Sequence, residues 1–326
     1  MLIFLDVCGL DPNCDIFMSS SRKYFGIIGK KLHSLAKAEL VSLFKTYQAR
    51  SIQYDHLSSV VRAEGSTELE RVASRAVLTK YFAEQIEEDE YEKRFHGKTF
   101  SCILFGTDKK IALEVLVKKI KERASAKVCL NNPDFHVIVH PKENLVGIKK
   151  GSQRINWLLR RPNLRNFFHP SALDPRLCRI MVNLARVREN DLILDPFCGT
   201  GGILLEAQRM GIRTIGLDVV KKMCGGAKQN GGEEVVRCDS LKMPIKKLSA
   251  HAIVTDIPYG FSTHIPPNTL SHKLVSDLIS RKIYAVKRMV VMCKDSDLEK
   301  ISDAKVGCET YCYRQHKSLT RCIVVT

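Results

Sequence analysis

The residues best equipped for chemistry are Thr255-Asp256-Ile257-Pro258-Tyr259-Gly260, at the end of a β-prone, apolar stretch. An aromatic amine is a weak nucleophile because its nitrogen lone pair is delocalised into the ring. Two acceptors that take the amine protons can turn that lone pair outward, and the Asp256 side chain with the Ile257 backbone carbonyl supplies two acceptors side by side. Tyr259 offers a flat face on which an extruded base can stack, and Pro258 stiffens the turn that aims the group. In isolation, a strand running into a proline turn with a core tyrosine is the plainer account of this hexapeptide. Its position behind a glycine turn and two further strand-end carboxylates changes that balance.

The glycine turn is Asp195-Pro196-Phe197-Cys198-Gly199-Thr200-Gly201-Gly202, which joins an apolar strand to a helix beginning near Ile203. Glycines at such a turn let the backbone approach a ligand closely, so Asp195, Cys198, Gly199, Thr200 and Gly201 are candidate cofactor contacts. The Gly-x-Gly-x-x-Gly spacing of dinucleotide sites is absent, because Leu204 stands where its third glycine would be. The two further carboxylates are Asp218 and Asp239. Asp218 is placed to accept from both ribose hydroxyls of an adenosine cofactor, and Asp239 with its neighbour Ser240 to meet the adenine. A lone strand-end aspartate is more often a cap or turn former. Three at successive strand ends behind a glycine turn favour a nucleoside.

These positions need a scaffold, and the second half of the chain has the rhythm of one. Leu192 to Asp195, Arg213 to Asp218, Glu234 to Asp239 and His251 to Asp256 read as strands alternating with helices. That pattern predicts a doubly wound, Rossmann-like α/β sheet over residues 171–326, with ligands at the carboxyl ends of its strands. Residues 22–148 read as an α+β region: a strand at Tyr24 to Ile28, a helix from Ser34, a helix opened by a Thr67/Glu70 capping box, a strand at Thr99 to Phe105, a helix at Lys110 to Arg123, and a strand pair around Asn131-Asn132-Pro133-Asp134. Between them, 149–170 reads as a basic linker that carries the single tryptophan, Trp157; it is either a solvated connector or a phosphate-facing segment. Residues 1–21 differ in character from the rest of the chain, with Met18 a second candidate start.

At 326 residues the chain has room for two domains, and its net charge of +17 favours a polyanionic partner. Twelve cysteines occur without any Cys-x-x-Cys pair, which predicts buried thiols in a reducing compartment, the cytoplasm, and no structural zinc or other metal. Neither a secretory leader nor a membrane-spanning run is expected.

The second half resembles the class I methyltransferases, and Asp256-Ile257-Pro258-Tyr259 resembles the [Asp/Asn]-Pro-Pro-[Tyr/Phe] motif of their amino-methylating branch, with Ile257 in place of the first proline. Asn166-Phe167-Phe168-His169-Pro170, the glycine turn with Ile203-Leu204-Leu205-Glu206-Ala207, and His316-Lys317-Ser318-Leu319-Thr320-Arg321 are more specifically similar to the archaeal tRNA (guanine(10)-N2)-methyltransferases. In that family the first half contains a THUMP domain, an RNA-binding module, and Val128 to Val137 is similar to its strand-turn-strand. The resemblance implies S-adenosylmethionine as cofactor and tRNA as partner, and leaves a small activating subunit open as a second partner. It also places Phe167 and Phe168 beside the methionine end of the cofactor, and Arg314, His316 and Arg321 on a closing hairpin in structural or phosphate-facing roles.

The expected function is therefore methylation of the N2 amine of a tRNA guanosine, at position 10, with Asp256, Ile257, Pro258 and Tyr259 forming the acceptor site. The rivals are the same chemistry on ribosomal RNA guanine, DNA adenine or a glutamine side chain, and a non-catalytic RNA-binding protein. A THUMP-linked thiolation enzyme would need a Ser-Gly-Gly-x-Asp-Ser loop, which the sequence lacks.

Overall fold

The computed structural model describes residues 22–65, 67–105, 109–151, 155–240, 250–258, 286–298, 307–316 and 319–326. The N-terminal stretch through residue 21 and Tyr259 lie outside the described residues. The chain divides into two compact units, 1–153 and 154–326.

The first unit is built on one eight-stranded sheet in the order β2-β3-β1-β4-β8-β7-β5-β6. Its strands are β1 (Lys23–Ile28), β2 (Ser51–Tyr54), β3 (Val60–Glu64), β4 (Thr79–Gln85), β5 (Thr99–Leu104), β6 (Lys127–Val128), β7 (Phe135–His140) and β8 (Leu145–Lys149). Helices α1 (His33–Thr46) and α2 (Leu69–Arg75) close one core around Tyr24, Leu40, Phe44, Val72 and Phe82. The short helix α3 (Tyr91–Phe95) and α4 (Lys109–Ala124) accompany a second core of Phe95, Phe100, Leu116, Ile120, Val137 and Ile148.

The fold corrects two expectations. The Thr67/Glu70 capping box does not form: the N-cap of α2 is Glu68, no side chain caps it, and the buried Thr67 Oγ1 makes no hydrogen bond among the described residues. The segment around Asn131 does not join a hairpin either, because β6 and β7 both pair in parallel with β5, which lies between them.

In the second unit, part of the basic stretch forms two short 3-10 turns, Trp157–Arg160 and Pro162–Leu164. The Arg160 and Arg176 guanidinium groups lie over the Trp157 ring, 5.5 and 5.6 Å from its centre. The sheet runs β11-β10-β9-β12-β13-β15-β14, with β9 (Leu192–Asp195), β10 (Arg213–Asp218), β11 (Glu234–Arg237), β12 (Ala252–Asp256) and β13 (Arg288–Lys294) parallel. β15 (Leu319–Val325) joins antiparallel between β13 and β14 (Glu309–His316). All four residues of β9 are buried, as expected of a parallel strand covered on both faces. Helix α5 (Pro175–Leu184) starts sharply because Asp174 accepts from the Arg176 N–H at 2.7 Å and Pro175 has no N–H to leave unpaired. α6 (Gly202–Gln208) comes after β9, and α7 (Lys221–Gln229) after β10. The succession β9, β10, β11 runs outward in one direction and β12, β13 in the other. The order therefore reverses between β9 and β12, where such sheets open a crevice for ligands.

The cysteines are not all thiols. Cys312 and Cys322 form a disulfide, because the β14–β15 register sets them directly opposite with Cα atoms 4.0 Å apart. Cys102, Cys129, Cys178, Cys198, Cys224, Cys238, Cys293 and Cys308 are free. Among the described residues no group of metal-binding side chains gathers, and no helix is long and apolar enough to cross a membrane.

Candidate active site

Asp195 ends β9 at the reversal point, with 1% of its surface exposed. Its Oδ1 accepts from Thr255 Oγ1 at 2.6 Å and from the Phe197 N–H at 3.1 Å, so it ties the β12 strand end to the glycine turn. Burial, with some repulsion from Asp256 and Asp218, raises its pKa to about 7, against the opposing effect of these two hydrogen bonds.

The turn itself is shaped by Gly199 and Gly201, at φ +51° and +81°, a region that side chains other than glycine's disfavour. A Cβ at Gly201 would also press on Ala227 of α7 at 3.3 Å, whereas one at Gly199 would meet nothing within 4 Å, so the turn is open there. The Gly199 N–H donates to Asp218 Oδ2 at 3.0 Å, and the Val220 N–H donates to Oδ1 at 2.8 Å. Asp218 thus fastens the turn while each oxygen keeps a second lone pair. Burial raises its pKa, and the two backbone donors offset part of the rise.

The other candidates divide. Cys198 points inward, packed with Leu204, Cys224, Ala227 and Val235, and burial beside Asp195 and Asp218 pushes its thiol far upward. Only its backbone can serve a ligand. Thr200 is buried, its carbonyl accepting from Asn230 Nδ2 at 3.1 Å. Phe167 is half-buried, its ring so close to Gly226 that a Cβ there would lie 2.1 Å from Cδ1. Phe168 is 52% exposed. Asp239 is half-buried just beyond the end of β11, and Ser240 beside it is buried.

Asp256 ends β12 with its side chain 19% exposed and its Oδ2 3.4 Å from Arg321 Nη1 on β15. Ile257 explains its own departure from the proline motif: its side chain fills the core, and its N–H donates to the Met292 carbonyl at 3.0 Å, a bond proline cannot make. Pro258 is half-buried beside it.

Three neighbours join these residues, of which only Arg321 lies in a motif that the sequence singles out. Asn230 uses its whole amide: Oδ1 accepts from the Phe167 N–H at 2.8 Å, and Nδ2 donates to the carbonyls of Phe167 at 2.9 Å and Thr200 at 3.1 Å. It clips the Phe167 segment to the glycine turn. Tyr313 donates to Met292 Sδ at 3.8 Å, and burial raises its hydroxyl to about 12. Arg321, expected in a structural or phosphate-facing role, is the cation beside Asp256.

This sheet order and glycine turn, with carboxylates at the ends of its central strands, define a class I, Rossmann-like methyltransferase fold. A family profile described as "RMKL-like, methyltransferase domain" matches residues 162–321, and a second, "DNA methylase", matches 83–229 and so ends before Asp256. The chain is 39% identical over 176 residues to the tRNA (guanine(10)-N2)-dimethyltransferase of Methanothermobacter thermautotrophicus, covering 51% of this chain and 52% of that one. With the protein of that name from Methanocaldococcus jannaschii it shares 42% over 160 residues, 44% of this chain and 46% of that one. With the "Probable tRNA (guanine(10)-N2)-dimethyltransferase" of Methanothermococcus thermolithotrophicus it shares 33% over 167 residues, 46% of this chain and 96% of the relative. The chain belongs to this tRNA (guanine(10)-N2)-dimethyltransferase family. Its matched segment spans about half the length of the first two relatives.

Proposed function

We propose that the protein methylates the exocyclic N2 amine of a tRNA guanosine, at position 10, with S-adenosylmethionine as donor. The observation that carries this reading is the 2.6 Å hydrogen bond from Thr255 to Asp195, which locks the acceptor strand end to the glycine turn at the reversal of the sheet. A donor site and an acceptor site held together in this way suit a direct transfer.

The residues present fit the cofactor. Gly199 leaves open space, Asp218 retains acceptor capacity for ribose hydroxyls, Asp239 and Ser240 stand beyond β11 for the adenine, and Phe167 lies beside the turn for the methionine end. Bound there, S-adenosylmethionine supplies an electrophilic sulfonium methyl group. Asp256 and the Ile257 carbonyl accept the amine protons and so turn the nitrogen lone pair out of the ring, and Asp256 stabilises the positive charge that grows on nitrogen. Arg321 holds the Asp256 carboxylate in place, and Asp256 takes the released proton after transfer. Tyr259 stacks on the base. Capture of the tRNA is assigned to the first unit, as a THUMP-containing RNA-binding region, supported by the +17 charge of the chain. A cytoplasmic setting accords with the eight free thiols among the described residues, while the Cys312–Cys322 disulfide runs against it.

The test offers the full chain labelled S-adenosylmethionine with tRNA, ribosomal RNA and duplex DNA in separate reactions, and identifies the methylated nucleoside by mass spectrometry. Methylated guanosine from tRNA is expected. Methyladenine from DNA, or label in ribosomal RNA alone, contradicts the reading.

A further inference from the structure

Three cysteines stand in one row across β13, β15 and β14. Cys293 lies directly opposite Cys322, and Cys322 lies directly opposite Cys312. Residues opposite each other on antiparallel strands point to the same face, so all three sulfurs share one side of the sheet. Cys322 is bonded to Cys312, while Cys293 keeps its thiol. Cys293 and Cys322 are fully buried in the core with Met289, Val291 and Val324, whereas Cys312 is exposed on the last strand of the sheet order. A small thiol can open a disulfide that has one end at the surface, because the attacking thiolate must reach a sulfur. In a chain whose other eight described cysteines are thiols, a disulfide of this kind fits a pair that changes state better than a permanent staple.

The next rung of the same hairpin carries the cation beside Asp256. Tyr313 stands opposite Arg321, one position along each strand from the Cys312–Cys322 rung. Arg321 Nη1 lies 3.4 Å from Asp256 Oδ2 and 3.4 Å from Met292 Sδ, and Tyr313 donates to the same sulfur at 3.8 Å. Alternation along the strand turns Arg321 to the face opposite the cysteine sulfurs, so the two rungs are coupled through the backbone that the disulfide clamps. Beyond Arg314 the register of the hairpin slips, which makes the disulfide the covalent tie nearest to its irregular end. We propose that Cys312 and Cys322 are a reversible redox site: the disulfide holds Arg321 against Asp256, and the dithiol loosens that contact and slows methyl transfer. The inference rests on the acceptor-site reading of Asp256. Reduction takes two exchanges. The thiolate of a small thiol such as glutathione attacks Cys312 Sγ, forms a mixed disulfide and releases Cys322 as a thiolate that takes up a proton. A second thiolate attacks the glutathione sulfur of that mixed disulfide and frees Cys312, so the protein gains two electrons and two protons while two glutathiones become one disulfide. Oxidised glutathione reverses both steps. Two unbonded sulfurs need more room than two bonded ones, and Cys312 is the one that can turn outward, since Cys322 is enclosed by the core.

The test equilibrates the full chain in glutathione buffers of graded reduced-to-oxidised ratio. Part of each sample is denatured in an alkylating agent for peptide mass spectrometry, and part is assayed for single-turnover methyl transfer to tRNA. Cys312 and Cys322 should pass together from linked to alkylated within the range of these buffers. The transfer rate should fall about 3- to 10-fold with that transition, while affinity for S-adenosylhomocysteine stays within about twofold. Cys312→Ser, a change at an exposed position, should show the lower rate in every buffer. In Arg321→Lys, which keeps the charge but loses the reach of the guanidinium, the oxidised and reduced rates should converge; a disulfide that served stability alone would keep its effect in that variant. A disulfide that stays linked in every buffer is a staple and overturns the inference. So does a rate that ignores the state of the pair, or a link from Cys322 to Cys293 in place of Cys312. No methyl transfer in any buffer, with the pair still titrating, overturns the acceptor-site reading and the inference with it.

Discussion

Asp256 is the residue for which a catalytic role and a structural role forecast different results. As an acceptor for the target amine it acts when nitrogen becomes tetrahedral, so Asp256→Ala should lower single-turnover methyl transfer by about 10² or more with cofactor affinity unchanged. Asp256→Asn keeps an acceptor oxygen but loses the charge, and its loss should be smaller. Were the contact with Arg321 the whole role of Asp256, the Ala variant would lose melting temperature and keep its turnover. Asp195 gives a pH test. Its carboxyl is raised to about 7 in the folded chain, against about 3.9 when unfolded. Between these values the folded state binds more protons, so the stability contributed by the protonated form is complete below about pH 4 and is lost as pH rises to about 7. Asp195→Asn keeps an oxygen for Thr255 and does not titrate. Its melting temperature relative to the unaltered protein should climb between about pH 4 and 7 and level off above; a constant difference across that range rules out the raised carboxyl. The strand-end aspartates Asp195, Asp218 and Asp256 were legible because they recur at one place in a repeating pattern, whereas β11 stops at Arg237 and leaves Asp239, its expected last residue, two positions beyond. Arg321 was legible as a motif residue but not as the partner of Asp256. Asn230 was not legible at all: its amide serves Phe167, 63 positions away, and no local pattern announces a clip that only the fold assembles.

At the level of elements, the loop after β12 carries a specific forecast. Ile257→Pro would restore the family motif, yet it removes the N–H that donates to the Met292 carbonyl and empties part of the core. Urea denaturation should show a loss of about 2 kcal/mol. Equal stability would mean that the loop does not depend on that bond. Asn230→Ala should loosen the Phe167 segment and the glycine turn together, weakening S-adenosylhomocysteine by about tenfold while Asn230→Gln restores little, because the clip depends on side-chain length. Calorimetry reads both variants, and unchanged affinity would leave Asn230 a helix-end residue only. The strands of the second unit were readable because parallel strands buried on both faces write continuous apolar runs such as Leu192 to Leu194 and Ile253 to Val254. Pairing was not readable. Nothing local says that β5 lies between β6 and β7, since that depends on strands brought together from separate parts of the chain; that Cys312 faces Cys322 depends on the register of the β14–β15 hairpin, which the spacing of ten residues does not fix. The Thr67/Glu70 pattern failed for a related reason: Thr67 is buried and Glu68 takes the cap position, so local capping chemistry gave way to packing.

For the whole molecule, the division into two units and the charge of +17 lead to one expectation about association. Affinity of the full chain for tRNA, measured by filter binding, should fall about tenfold or more between roughly 50 and 200 mM salt as phosphate contacts release counterions. Affinity that ignores salt would argue against a phosphate-reading surface. The charge was evident from composition alone; which nucleotide the second unit presents to Asp256 was not, because that depends on how the RNA is held and not on any motif. The central claim concerns that nucleotide. Two tRNA transcripts, one with guanosine at position 10 and one with adenosine there, should be incubated with the full chain and S-adenosylmethionine and digested for nucleoside mass spectrometry. N2-methylated guanosine from the first transcript and none from the second is the predicted result; equal methylation of both, or methyl groups on any other base, would contradict it.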